Sequence, residues 1–319
     1  MAAYATGEKG EYADRPLAIP RAGWRSVLYR VKSQLGEDNI GILSAGVAFY
    51  AFLASFPAIA AVIMIYGLIA EPSQVQEQLA MAKELMPAEA YGILESQSSK
   101  LVTEASGTLG FGLVLSLGMA LWSASKGVNA LLTAVNVAYE ERDERGYVSS
   151  TAWTLFFTLG AAVFAVLSLI IIAAIPAAVS FLTPDSIVGE AILWARWLVM
   201  AVFAIAALAL FYNLGPSRRR PQFRWVTPGA VTATVLWVLG SIAFSVYVEN
   251  FASYNSTFGS LGAVVILLMW LYLSAYIVCV GAELNSELEH QTRRDTTVGP
   301  SRPIGSRGAY VADHVPTDV

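Results

Sequence analysis

Lys126, Asn129, Thr133 and Asn136 follow one another at three- and four-residue steps inside the otherwise apolar stretch 107–139, and Glu140 continues the series just past its end. On a helix turning about 100° per residue they share a sector of about 80°, with leucine, valine, alanine and glycine around the rest. A lysine at the centre of a bilayer costs about 2.5–3.5 kcal/mol, so such a cation turns toward protein or a watery cavity. The chemistry on offer is a polar pathway or a contact with a substrate. The alternative is a lysine that snorkels to the membrane surface, or one that pairs once to lock two helices. A helix over 107–139 is about 50 Å long against a hydrocarbon core of about 30 Å, so it must overhang.

Glu283 and Asn285 offer the matching groups near the end of a later apolar run, beside Gly281 and Ala282, which let a neighbouring helix approach closely. The expectation is one cytoplasm-side polar cavity built from Lys126, Asn129, Asn136, Glu283 and Asn285, with Lys126 paired to Glu283. A purely structural ion pair explains the same residues. A second candidate is the uncharged hairpin 251–260, where Tyr254, Asn255, Ser256 and Thr257 either bind a polar ligand or anchor a turn at the membrane surface. Arg218, Arg219, Arg220 and Arg224 lie between Pro216 and Pro228. They read as a topology determinant touching lipid phosphates rather than a nucleic-acid site.

Signatures of soluble enzymes are missing. There is no phosphate-cradling G-x-x-x-x-G-K-[ST] loop and no G-x-S-x-G nucleophile elbow. The two histidines, His290 and His314, fall near the C-terminus, and the single cysteine, Cys279, sits in an apolar run as a small hydrophobe. No catalytic, cofactor-binding or metal-ligating residue is therefore expected, and the chain reads as a non-enzyme.

The elements that must position these groups are membrane helices. Of 319 residues 56% are hydrophobic and 14% charged, with a mean hydropathy of +0.56, whereas soluble domains run nearer a quarter charged. Six apolar runs are long enough to cross a bilayer, at 41–70, 107–139, 153–182, 192–214, 225–248 and 261–284. Pro57 and Pro176 interrupt two of them and predict kinks. The fold expected is an all-α, polytopic membrane bundle of six transmembrane helices over residues 39–288. Residues 1–20 are read as a disordered N-terminus without a cleavable signal, and 21–38 as a short amphipathic helix in the membrane interface. Residues 71–106 are expected to form a small helical extracytoplasmic loop, and 289–319 a disordered cytoplasmic tail.

Orientation follows from charge. Sixteen of the 20 lysines and arginines lie in 1–39, 140–150, 215–225 and the segment after Leu284, against two in 71–106. Both termini are therefore expected in the cytoplasm.

The run of motifs resembles the BrkB/YihY family of bacterial inner-membrane proteins from about Asn39 to Asn285. It includes Ala48-Phe49-Tyr50 with Ser55-Phe56-Pro57, Leu121-Trp122-Ser123-Ala124-Ser125-Lys126-Gly127, and Asn136-Val137-Ala138-Tyr139. Trp225 with Gly229-Ala230, Gly259-Ser260-Leu261-Gly262-Ala263, Trp270-Leu271-Tyr272 and Gly281-Ala282-Glu283-Leu284-Asn285 follow in order. The resemblance implies a six-helix protein of the cytoplasmic membrane, linked in some members to serum resistance and virulence. Some members once carried the label ribonuclease BN, a tRNA-processing assignment considered mistaken. The functional expectation is permease-like transport or handling of a small solute or lipid, with membrane lipids as partners and no nucleic acid. The runner-up is a non-catalytic scaffold for envelope integrity, and a membrane ribonuclease stands third. The substrate, any coupling ion and the oligomeric state are not encoded legibly.

Overall fold

The computed structural model describes residues 7–69, 108–182, 186–250 and 260–316. Within them α1 (Arg21–Glu37) is followed by α2 (Ile40–Ile69), α3 (Thr108–Ala138), α4 (Tyr147–Leu169) and α5 (Ile175–Leu182). Then come α6 (Ile187–Leu214), α7 (Phe223–Asn250), α8 (Ser260–His290) and a last turn, α9 (Tyr310–Asp313). Long apolar runs take this form because a backbone away from water must bond to itself, and a helix does so within one segment. The described residues contain no strand, only an isolated bridge between Pro221 and Thr297. The chain is all-α, as its sequence predicts.

Five helices among the described residues are long and apolar enough to cross a membrane, lying in α2, α4 with the turn after it, α6, α7 and α8. The expected count of six adds α3, which has the length, 31 residues. The expected extracytoplasmic loop 71–106 lies outside the described residues.

Local chemistry sets the breaks. Asn39 separates α1 from α2 in the left-handed region (φ 53°), and Glu140 ends α3 in the same way (φ 56°). α4 passes through a π-helical turn, Ile170–Ala174, into α5. Pro176 has no N–H to offer the Ile172 carbonyl four residues back, and Arg196 Nη1 on α6 lies 3.5 Å from that oxygen instead. Pro57 does not end α2, which continues to Ile69.

Two compact units result: residues 1–48 with 127–319, and residues 49–126. In the second, Phe52 and Phe56 meet edge to face at 5.0 Å, and the Lys126 ammonium lies 5.8 Å from the centre of the Trp122 ring. In the first, α4, α6, α7 and the early part of α8 turn large apolar side chains outward, among them Leu159, Val163, Trp194, Leu198, Leu239 and Val265. An unbroken apolar surface of this kind calls for lipid as its solvent.

Midway along α8 the pattern inverts. Every residue from 281 to 289 is buried, although Glu283, Asn285, Ser286, Glu287 and Glu289 are among them. Protein covers this polar end. Val27 and Val31 of α1 pack with Trp225, Leu284 and Leu288. Val135, Ala138 and Tyr139 pack with Tyr212, Val226, Ala230, Ala282 and Val311.

Three expectations are corrected here. Residues 7–20 are ordered: Gln291 donates to the Lys9 carbonyl (2.9 Å) and Thr292 to that of Ala13 (2.8 Å), and a Cβ on Gly23 would overlap the Lys9 carbonyl. Residues 289–316 are not a disordered tail either. Their polar composition hides a fold built on hydrogen bonds: the buried Arg307 guanidinium donates to the carbonyls of Arg293, Arg294, Arg302 and Ala312. Finally, α1 buries its Val27 and Val31 stripe against protein, so its amphipathicity is that of a helix docked on α8 rather than on lipid alone.

Candidate functional site

The polar end of α8 is where ionisable side chains are packed away from water. Three groups of contacts make it up. In the first, Arg30 of α1 is ion-paired with Glu287 and donates to Gln291 (2.7 Å). In the second, Arg218, from the 215–222 connection, donates Nη2 to Glu289 at 2.6 Å with both side chains almost fully buried. Its guanidinium also lies 4.7 Å from the centre of the Tyr139 ring, a cation–π contact. Burial works against the Arg218 charge, but the Glu289 carboxylate outweighs it and raises the pKa above the ordinary arginine value. Burial likewise pushes the Tyr139 hydroxyl well up.

In the third group the carboxyl groups of Asp38 and Glu283 face each other. Asp38 is held by the turn between α1 and α2, Glu283 by α8 at 1% exposure. Burial, with Glu140, Glu37 and Glu287 nearby, raises Asp38 above the usual carboxylate range, although the hydrogen bond from Glu283 pulls the other way. One turn before Glu283, the Cys279 thiol lies 3.9 Å from the Ser44 hydroxyl.

This network is incompletely satisfied. Arg218 Nε and Nη1 and Glu289 Oε1 are buried without a hydrogen-bond partner among the described residues. Native interiors leave few such atoms, and they mark where water, an ion or a ligand is accommodated.

The expected cavity residues are distributed unevenly. Glu283 and Asn285 belong to the cluster. Asn285 Oδ1 accepts from the Gly229 amide (2.7 Å), at the crossing where α7 and α8 approach over Gly229 and Gly281. A Cβ on Gly281 would lie 2.5 Å from Tyr212 Oη, whose hydroxyl donates to the Val278 carbonyl at 2.7 Å. Asn136 is buried at its rim, its Oδ1 accepting from the Ser217 amide (2.7 Å), so it positions the Arg218 loop. Asn129 and Thr133 are exposed, and Asn129 Oδ1 accepts from Thr154 of α4 at 3.4 Å. Lys126 is exposed and belongs to the unit 49–126, whereas Glu283 belongs to the other. The loop candidates Tyr254, Asn255 and Thr257 lie outside the described residues.

Sequence reasoning missed Asp38, Tyr139, Arg218 and Glu289 as parts of the site. The one available signal was that Tyr139 and Glu283 sit in motifs quoted above. Nothing local distinguishes Arg218 from the two arginines that follow it.

The model of the family described as virulence factor BrkB matches residues 31–304. The chain belongs to the BrkB family. A putative ribonuclease-like protein of Bacillus subtilis is 29% identical over 256 residues, 78% of this chain and 90% of that one. A UPF0761 membrane protein of Idiomarina loihiensis is 30% identical over 204 residues, 61% of this chain and 66% of its own length. Another from Alteromonas mediterranea is 37% identical over 106 residues, 30% of this chain and 36% of its own. No solved structure matches the chain.

This BrkB protein is thus a membrane protein, in keeping with its apolar helices. The family match begins within α1 and passes Asn285 to reach residue 304, which corrects the narrower limits drawn from the motifs. The Asp38–Glu283 and Arg218–Glu289 pairs and part of the folded C-terminal segment lie inside it.

Proposed function

We propose that this BrkB protein is a permease-like handler of a small polar solute or lipid in the bacterial cytoplasmic membrane, with both termini in the cytoplasm and no enzymatic activity. One observation carries the reading: the buried, unpartnered Arg218 Nε and Nη1 and Glu289 Oε1 around the end of α8. A cluster that served packing alone would saturate its donors and acceptors, because each orphan costs about 1–3 kcal/mol. A site that exchanges water, an ion or a substrate group keeps them free. Membrane lipids are the proposed partners of the outward apolar faces, and nucleic acid has no place in this reading.

The scaffold alternative draws on the saturated part of the same region, chiefly Asn285 on the Gly229 amide and Arg30 on Glu287 and Gln291. Labelling separates the two. Glu283→Cys in a Cys279→Ser background should react, slowly, with a membrane-impermeant thiol reagent added at the cytoplasmic side. Glu283→Gln should impair the family phenotype at unchanged membrane abundance. No labelling from either side, together with loss of abundance in Glu283→Gln, would favour the scaffold. The ribonuclease reading is set aside as well. It returns if tRNA-precursor processing survives purification and disappears in a point variant of this chain.

A further inference from the structure

The folded C-terminal segment creates a cleft that the Asp38–Glu283 region does not include. Its volume is about 350 Å³, and its walls are Arg224 from the first turn of α7, Arg293, Arg294 and Arg307 from the segment after α8, and Asp14 and Asp295. The charge balance favours an anion. The Arg224, Arg293 and Arg294 side chains are exposed, and none of their guanidinium groups has a hydrogen bond or ion pair among the described residues. Arg307 forms part of the wall at 4% exposure, and its guanidinium is bonded to four neutral carbonyls rather than to a carboxylate.

Of the two acids in the wall, Asp14 is exposed and Asp295 is already committed. Asp295 Oδ1 accepts from the Thr297 amide (2.9 Å) and hydroxyl (2.7 Å), and Oδ2 from the Arg302 amide (2.8 Å). Its oxygens are turned into the loop backbone, which leaves the arginine forks open. Arg224 is the second residue of a candidate membrane span, so the cleft opens where that span meets water. The positive end of a 28-residue helix adds to the field there. Planar, always-charged forks on three sides of a concavity of this size suit the tetrahedral oxygens of a phosphate group.

We propose that this cleft binds a phosphate group, presented either by an anionic lipid headgroup or by a free phosphorylated solute. The proposal does not depend on the transport reading. Its test uses the full-length protein in a neutral detergent, with dihexanoyl phosphatidic acid, dihexanoyl phosphatidylcholine and inorganic phosphate as probes, followed by native mass spectrometry and thermal shift. Phosphatidic acid should bind, and its affinity should fall as salt is added. Arg293→Gln and Arg294→Gln should each weaken it by about tenfold, the loss of one charge-assisted contact. Arg224→Gln should do the same.

Arg142→Gln, at an exposed arginine away from the cleft, should leave binding unchanged. Because the three cleft side chains bear no internal contacts, their removal should not shift the melting temperature of the unliganded protein. Binding of phosphatidic acid alone identifies a headgroup, whereas equal binding of inorganic phosphate identifies a soluble ligand. The proposal falls if neither binds, if phosphatidylcholine binds equally well, or if the triple arginine variant binds as the parent does.

Discussion

Arg218 and Glu289 are almost fully buried and joined at 2.6 Å, and removing one of them strands the other. Arg218→Met should therefore destabilise the protein by about 3–5 kcal/mol. Replacing Glu289 by leucine as well should recover most of that, since two apolar groups leave no uncompensated charge. Thermal unfolding of the two single variants and the double variant measures it; additive losses would show that the two residues act separately.

Single carboxylates also give the pH dependence its sign. Asp313 receives the amides of Gly305, Arg307 and Gly308 at 2.7–3.0 Å. Burial opposes its ionisation, but these donors outweigh it and lower its pKa. A lowered folded-state pKa gives stability that is present above the unfolded value, about 4 for aspartate, and lost as pH falls through the folded one. Asp38 is raised, chiefly by burial, so it opposes folding at neutral pH and ceases to do so as acid protonates it. A spin label at Val315→Cys, with Cys279→Ser, should become mobile on acidification below about pH 4. Asp313→Asn should already be mobile at neutral pH. Asp38→Asn should instead raise the melting temperature at neutral pH, and that gain should shrink as pH is lowered.

Helix crossings depend on what is absent as much as on what is present. A Cβ on Gly229 would overlap the Gly281 carbonyl and lie 2.5 Å from the Asn285 amide group. α7 and α8 would have to separate, and Asn285 would lose its bond to the Gly229 amide. Gly229→Ala should cost about 1–3 kcal/mol or more, as overpacking does. Gly36 in α1 has nothing within 4 Å of its would-be Cβ. Gly36→Ala should be neutral or stabilising by up to about 1 kcal/mol through helix propensity alone. Yield of monodisperse protein and melting temperature compare the two. A harmless Gly229→Ala would mean that α7 and α8 do not meet there.

Across the molecule, the described residues order themselves by where charge is tolerated. Among the described residues, apolar side chains of α4, α6, α7 and early α8 face outward, and Glu283, Glu287 and Glu289 gather under a cover of protein at the end of α8. Sixteen lysines and arginines fall in 1–39, 140–150, 215–225 and the segment after Leu284 against two in 71–106, and the covered end should therefore be cytoplasmic. Reporter fusions after residues 90 and 255 should report the outer side, and fusions after residues 145 and 220 the cytoplasm. A cytoplasmic signal from residue 90 would reverse the assignment.

Runs of twenty or more apolar residues sufficed to read the helical class and the membrane setting, because both follow from local composition and backbone hydrogen bonding. The spacing of Glu283 and Asn285 marked one end of α8 as unusual for the same reason: a carboxylate within an apolar run must have an explanation nearby. Their partners were not legible. Asp38 and Glu283 are 245 positions apart in the chain, and Arg218 and Glu289 are 71 apart; each pair meets only after α1, α7 and α8 have packed. The 7–20 and 289–316 segments read as disordered because they have few apolar residues. Their order comes from hydrogen bonds between them, such as Gln291 to Lys9 and Thr292 to Ala13, and from Arg307 gathering four carbonyls. No periodicity in either segment records a contact made with the other, so the arginine cleft exists only in the folded chain.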